Sequence, residues 1–129
     1  MRVLACTAPE AERRLRQALA ADDLQIALTF SAATTAILRE HWDVVIIGAL
    51  FDESRALELM QVLSSDAYPR LPIVGIRGAK IARYLAPEVF DVPMKLLGAV
   101  DVIDFGAIPD DGVGNAHIGA RIRAAAKPA

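Results

Sequence analysis

The sequence has one cysteine, Cys6, two histidines, His41 and His117, and only 5% aromatic residues. Each scarcity removes a class of function. A lone thiol inside the apolar run Val3-Leu4-Ala5-Cys6 excludes a disulfide framework and fits a reducing compartment. Lying within a strand-like run and not in an electropositive mouth, it reads as inert core and not as a nucleophile. Neither histidine has a second His or Cys at ligand spacing, so no zinc site is expected. Sparse aromatics argue against a base-stacking surface. The 14 basic and 16 acidic residues give a net charge of −2, so no basic excess points to nucleic acid or an anionic membrane. No apolar stretch approaches a membrane span, and the opening run is too short for a signal peptide's apolar region. No Cys–His or Ser–His–Asp set is arguable from spacing. These absences predict a soluble, cytoplasmic, non-enzymatic chain without a cofactor or a metal.

What is present is core material. At 129 residues, 54% hydrophobic and 23% charged, the chain fits one folded domain over 1–129, with 124–129 read as a helix end or the start of a linker. Val3–Cys6 reads as a first strand. Thr7, Pro9, Glu10 and Glu12 then suit a helix start, and Ala11, Leu15, Ala18 and Leu19 form its apolar face, with Arg13, Arg14 and Arg16 mostly outside it. Leu24, Ile26, Leu28 and Phe30 alternate with wetter residues, as on an edge strand. Ser31 is the expected cap of a second helix carrying Ala33, Ala36, Ile37 and Leu38. Val44-Val45-Ile46-Ile47-Gly48 reads as a central strand buried on both faces. A helix over 54–65, a turn through Pro69 and Pro72, a strand at Ile73–Ile76 and a short helix over 79–85 follow. Pro87 and Pro93 bracket a piece, Glu88–Val92, expected to be irregular. Val100–Phe105 is the fifth strand, and Ile118, Ile122 and Ala125 mark a last helix. Strands alternating with helices predict an α/β fold: a doubly wound, five-stranded parallel sheet with helices on both faces. In such sheets ligands sit at the carboxyl ends of the strands.

Three stretches resemble the receiver domain of two-component response regulators. Met1-Arg2-Val3-Leu4-Ala5-Cys6-Thr7-Ala8 is similar to the family's first strand running into the place of its acidic pair. Ala36-Ile37-Leu38-Arg39-Glu40-His41-Trp42-Asp43-Val44-Val45-Ile46-Ile47-Gly48 is similar to its second helix and third strand. Arg55-Ala56-Leu57-Glu58-Leu59-Met60-Gln61-Val62-Leu63 and Leu71-Pro72-Ile73-Val74 are similar to its third helix and fourth strand. The resemblance covers most of residues 1–76 and implies a flavodoxin-like strand order, 2-1-3-4-5. The family holds magnesium with an acidic pair after strand one and accepts phosphate on an aspartate after strand three. It reads the phosphoryl group with a hydroxyl after strand four and a lysine after strand five. Matched position by position, this chain offers Thr7 and Ala8, Gly48, Arg77 and Phe105. All five depart from the pattern. A hard divalent ion needs carboxylate oxygens, and glycine has no nucleophile. The resemblance therefore implies a degenerate, or pseudo-receiver, domain that acts through a protein partner: an output domain, a kinase or a second copy.

Several residues carry rival readings. Asp52 is a candidate displaced phosphoacceptor, although acids near helix starts usually serve as caps. Arg77 is a candidate anion binder, which would make the domain a sensor of small anionic ligands; the plainer reading is an ion pair with Asp52, Glu53 or Asp104. Phe105 is either core or an exposed anchor, while Asp101 and Asp104 are expected to be solvated. Phe90, Val92 and Met94, with Val89, form a candidate interaction surface. Gly112-Val113-Gly114 with Gly119 departs from a phosphate-binding glycine pattern, because it follows Pro109-Asp110-Asp111 and not a strand; it is expected to be a flexible connection.

Overall fold

A computed structural model describes residues 1–78 and 86–126; the short helix expected over 79–85 and the last residues of the tail, 127–129, lie outside the described residues. Strands β1 (Arg2–Cys6), β2 (Asp23–Ala27), β3 (Val44–Gly48), β4 (Ile73–Arg77) and β5 (Asp101–Asp104) form one sheet in the order 2-1-3-4-5. Every pairing is parallel. Among the described residues, the helices longer than one turn are α1 (Glu12–Ala18), α2 (Phe30–Arg39), α3 (Ala56–Leu63), α4 (Glu88–Leu96) and α5 (Gly112–Ala126).

The β-branched run of β3 is buried on both faces, and β1 beside it nearly so. Leu4, Cys6, Val45 and Ile47 point to one layer, packed on Ala33, Ile37, Leu59, Met60, Phe90 and Met94 of α2, α3 and α4. Val3, Ala5, Val44, Ile46, Val74 and Ile103 point to the other, packed on Leu15, Leu19, Ile118 and Ile122 on the α1 and α5 side. This two-sided cover is what an all-parallel sheet requires. Burial pushes the Cys6 thiol up to about 12, consistent with a core residue.

Five elements differ from expectation, each for a local reason. β2 stops at Ala27, and Thr29, not Ser31, caps α2: its hydroxyl accepts from Ala32 N at 3.1 Å. The stretch expected to be irregular is helix α4, with Pro93 inside it. Phe90 and Met94, one turn apart, dock on the sheet, and Glu88 and Asp91 in the first turn complement the helix dipole; tertiary packing outweighs one missing N–H donor. The glycine-rich segment is the start of α5. Asp111 accepts from Gly114 N at 2.8 Å, and a Cβ on Gly114 would lie 1.8 Å from the Pro109 carbonyl oxygen. Glycine serves close packing there, not flexibility. Finally, α3 begins at Ala56, because Asp52, Glu53 and Ser54 all have positive φ.

Candidate functional site

Parallel pairing carries the carboxyl ends of β1, β3, β4 and β5 to one edge. In the register, Cys6 stands beside Ile47, Gly48 beside Ile76, and Arg77 beside Asp104. The residues that follow these ends line an open cleft of about 330 Å³, which includes Thr7, Ala8, Gly48, Arg77 and Phe105. The structure thus brings together all five positions singled out in the sequence. None is a carboxylate. Among the described residues, no group of three or more His, Cys, Asp or Glu is placed to hold a metal ion.

Thr7 and Gly48 fit against each other. Thr7 is buried, and a Cβ on Gly48 would lie 2.6 Å from its Oγ1. That is far inside contact distance, so the threonine occupies the space a side chain at position 48 needs.

Arg77, on the cleft wall, is held in an acidic clamp. Its Nε donates to Asp91 Oδ1 at 2.8 Å and Nη2 to Asp91 Oδ2 at 3.1 Å. Nη1 lies 2.9 Å from Asp104 Oδ2. The hydrogen bond to Asp91, and then the charges of Asp104 and Asp91, raise the guanidinium's pKa above its ordinary value. The expected pairing with Asp104 is present. Pairing with Asp52 or Glu53 is not, and the partner sequence reasoning missed is Asp91. Asp104 and Asp101 are not simply solvated: Asp101 holds Arg121 through two bonds of 3.0 and 2.7 Å.

A second arginine went unrecognised. Arg14 of α1 is buried. It donates to Asn115 Oδ1 at 2.7 Å and to the carbonyls of Phe105, Ile108 and Pro109, and lies 5.2 Å from the Phe105 ring centroid. It fixes the loop from β5 to α5. The signal was available: Ala11, Arg14 and Ala18 share one helical stripe. On the rim, Arg13 pairs with Asp110, whose carboxyl is held below the ordinary range by Arg13 and then Asn115. Among the described residues, Arg13, Arg14 and Arg77 are the arginines lining the cleft, and all three are engaged within the chain.

The other candidates lie elsewhere. Asp52 is outside the cleft lining; its Oδ2 accepts from Phe30 N at 2.7 Å and lies 3.5 Å from Arg55 Nη1, so it serves the start of α2. Phe90 and Met94 face inward as core, and Phe105 is buried too. This corrects the expected surface, because the helical period of α4 sends Phe90 and Met94 to the sheet. The apolar groups that α4 leaves outward are Val89, Val92 and Leu96, at 52%, 51% and 82% exposure.

No protein-family model matches the chain, and no curated protein matches it. Solved structures do. A response regulator from Thermotoga maritima aligns with a TM-score of 0.71 at 17% identity, over 96% of this chain and 95% of that one. The BeF3-activated receiver domain of Klebsiella pneumoniae RstA aligns with a TM-score of 0.74 at 20% identity, over 98% and 97%. HP1043, an orphan response regulator of H. pylori, aligns with a TM-score of 0.71 at 14% identity, over 98% and 97%. Strand order, helix placement and these likenesses agree: the chain has the flavodoxin-like fold of response-regulator receiver domains.

Proposed function

We propose that this chain is a pseudo-receiver module of two-component signalling, cytoplasmic and non-enzymatic, that works through protein contacts without aspartyl phosphorylation. The observation that carries the reading is the Thr7–Gly48 contact, where a Cβ would stand 2.6 Å from a hydroxyl oxygen. The position that accepts phosphate in receivers has here no carboxylate, and a side chain there requires Thr7 to move.

Receivers use magnesium, and the residues present do not fit it. Thr7, Ala8 and Gly48 supply no carboxylate oxygen at the places that matter, and a hard divalent ion needs such donors. Arg77, where receivers place a hydroxyl, is committed to Asp91 and Asp104, which ties β4 to α4 and β5. The partner is an output domain, a kinase or a second copy, and it meets the apolar stripe of Val89, Val92 and Leu96, since contiguous exposed apolar groups mark contact surfaces. No nucleic acid or membrane is engaged through this domain.

The test is an amide NMR titration with magnesium and beryllofluoride, a stable mimic of an aspartyl phosphate. The expected result is no shift at Thr7, Gly48 or Arg77. Saturable shifts there overturn the reading, and shifts centred on Asp52 transfer the acceptor role to it.

A further inference from the structure

Asp52, Glu53 and Ser54 have φ of 41°, 59° and 65°. Three consecutive non-glycine residues in the left-handed region are disfavoured by the clash of each Cβ with the following carbonyl, and such strain persists only where the surroundings impose it. The local sequence prefers the opposite hand. Asp52 and Glu53 suit the first turn of a right-handed helix, and Arg55 already pairs with Glu58 of α3 at 2.8 and 3.0 Å.

Three contacts hold the turn. Phe51 is fully buried. Asp52 Oδ2 accepts from Phe30 N at 2.7 Å. Arg55, 3.5 Å from Asp52, lies over the Phe30 ring at 4.1 Å from its centroid. Two of these three anchors are at Phe30, the start of α2, while Ala49 and Leu50, just before the turn, line the cleft.

The geometry points to a latched two-state element: the Phe51–Ser54 turn is held left-handed by Asp52 on the amino end of α2, and its release converts residues 52–54 to right-handed helix, extending α3 backward by about one turn. Ala49 and Leu50 move with it, so the cleft wall and the start of α2 are mechanically linked. This linkage goes beyond the interaction role proposed above and does not depend on it.

NMR on the full chain tests it. In the wild type, residues 52–54 show the strong intraresidue amide–Hα NOEs of positive φ. In Asp52→Ala those NOEs weaken at 53 and 54, and the amides of 56–58, which then find the carbonyls of 52–54 four residues back, gain helical exchange protection. Adding Glu53→Gly, which accepts the left-handed region without strain, restores the turn. If Asp52→Ala does not fold, Glu53→Gly alone decides: relief of strain raises the urea midpoint. Negative-φ signatures in the wild type, an Asp52→Ala turn unchanged in NOE and exchange, or a Glu53→Gly midpoint that fails to rise each overturn the proposal.

Discussion

Arg77 and Asp91 form a two-point ion pair across the junction of β4 and α4, with bonds of 2.8 and 3.1 Å. The planar fork matches the carboxylate in a way a lysine cannot. Arg77→Ala leaves Asp91 and Asp104 facing each other without a cation. The expected loss is about 1–3 kcal/mol, the range for stranding a charged hydrogen-bond partner. Urea midpoints at constant m-value measure it. Arg77→Lys recovers only part of the loss, and a lysine variant as stable as wild type contradicts the two-point geometry.

Gly48→Asp probes whether an acid alone rebuilds a receiver site. The added Cβ meets Thr7 Oγ1 at 2.6 Å, so the variant loses roughly 1–3 kcal/mol by overpacking. Thr7→Ala removes the obstruction, and the double variant is more stable than the sum of the singles predicts, by about 0.5 kcal/mol or more. Additive effects in the four-corner cycle would show that Thr7 is not the obstacle.

Gly114 and Val113 are neighbours with opposite tolerance. A methyl at 114 runs into the Pro109 carbonyl at 1.8 Å, which is rigid backbone, so Gly114→Ala costs ~2 kcal/mol or more. Val113 is 83% exposed, and Val113→Ala stays within about 0.5 kcal/mol. Thermal melts of the pair distinguish a tight helix start from a flexible connection, in which both changes are silent.

Cys6 gives the alkaline prediction. Its folded pKa is raised to about 12 by burial, above the ~8.5 of a free thiol. A raised folded value contributes stability that is complete below the unfolded pKa and lost as pH rises toward the folded one. Stability therefore declines from about pH 8.5 upward, and Cys6→Ala flattens that decline. Iodoacetamide labels Cys6 only on unfolding; rapid labelling of the native chain at neutral pH rules out the buried environment.

Asp110 gives the acid one. Arg13, and then Asn115, lower its folded pKa. Stability from this group is present above the unfolded carboxyl value and is lost as pH falls through the folded one. In Asp110→Asn that acid-side slope is shallower, read from urea midpoints taken downward from neutral pH. An unchanged slope removes Asp110 from the acid response.

The sheet was legible because β1, β3 and β4 are short apolar runs that only a doubly covered layer can bury. The five strand-end positions followed from the resemblance, and parallel register alone brings them to one edge. Arg14 was misread because charge was taken as a sign of exposure, although its spacing from Ala11 and Ala18 puts it on the buried stripe. Helix α4 was missed because two prolines outweighed the Phe90–Met94 spacing. Asp91 followed from neither pattern: it meets Arg77 only once α4 has folded back beside β4. The left-handed turn at Asp52–Ser54 contradicts local propensity altogether, so no sequence rule indicates it.

Arg14 also couples the two ends of the domain. Its acceptors are the carbonyls of Phe105, Ile108 and Pro109 and the amide oxygen of Asn115, 91 to 101 residues downstream. A buried guanidinium without partners is strongly unfavourable. Without residues 105–115 the Arg14 head would lie in water, while Leu15 and Leu19 of the same helix still pack on the sheet. One side chain of the first helix is therefore a polar tie between the two ends of the domain, and Arg14→Leu would loosen the β5–α5 loop while leaving the sheet paired.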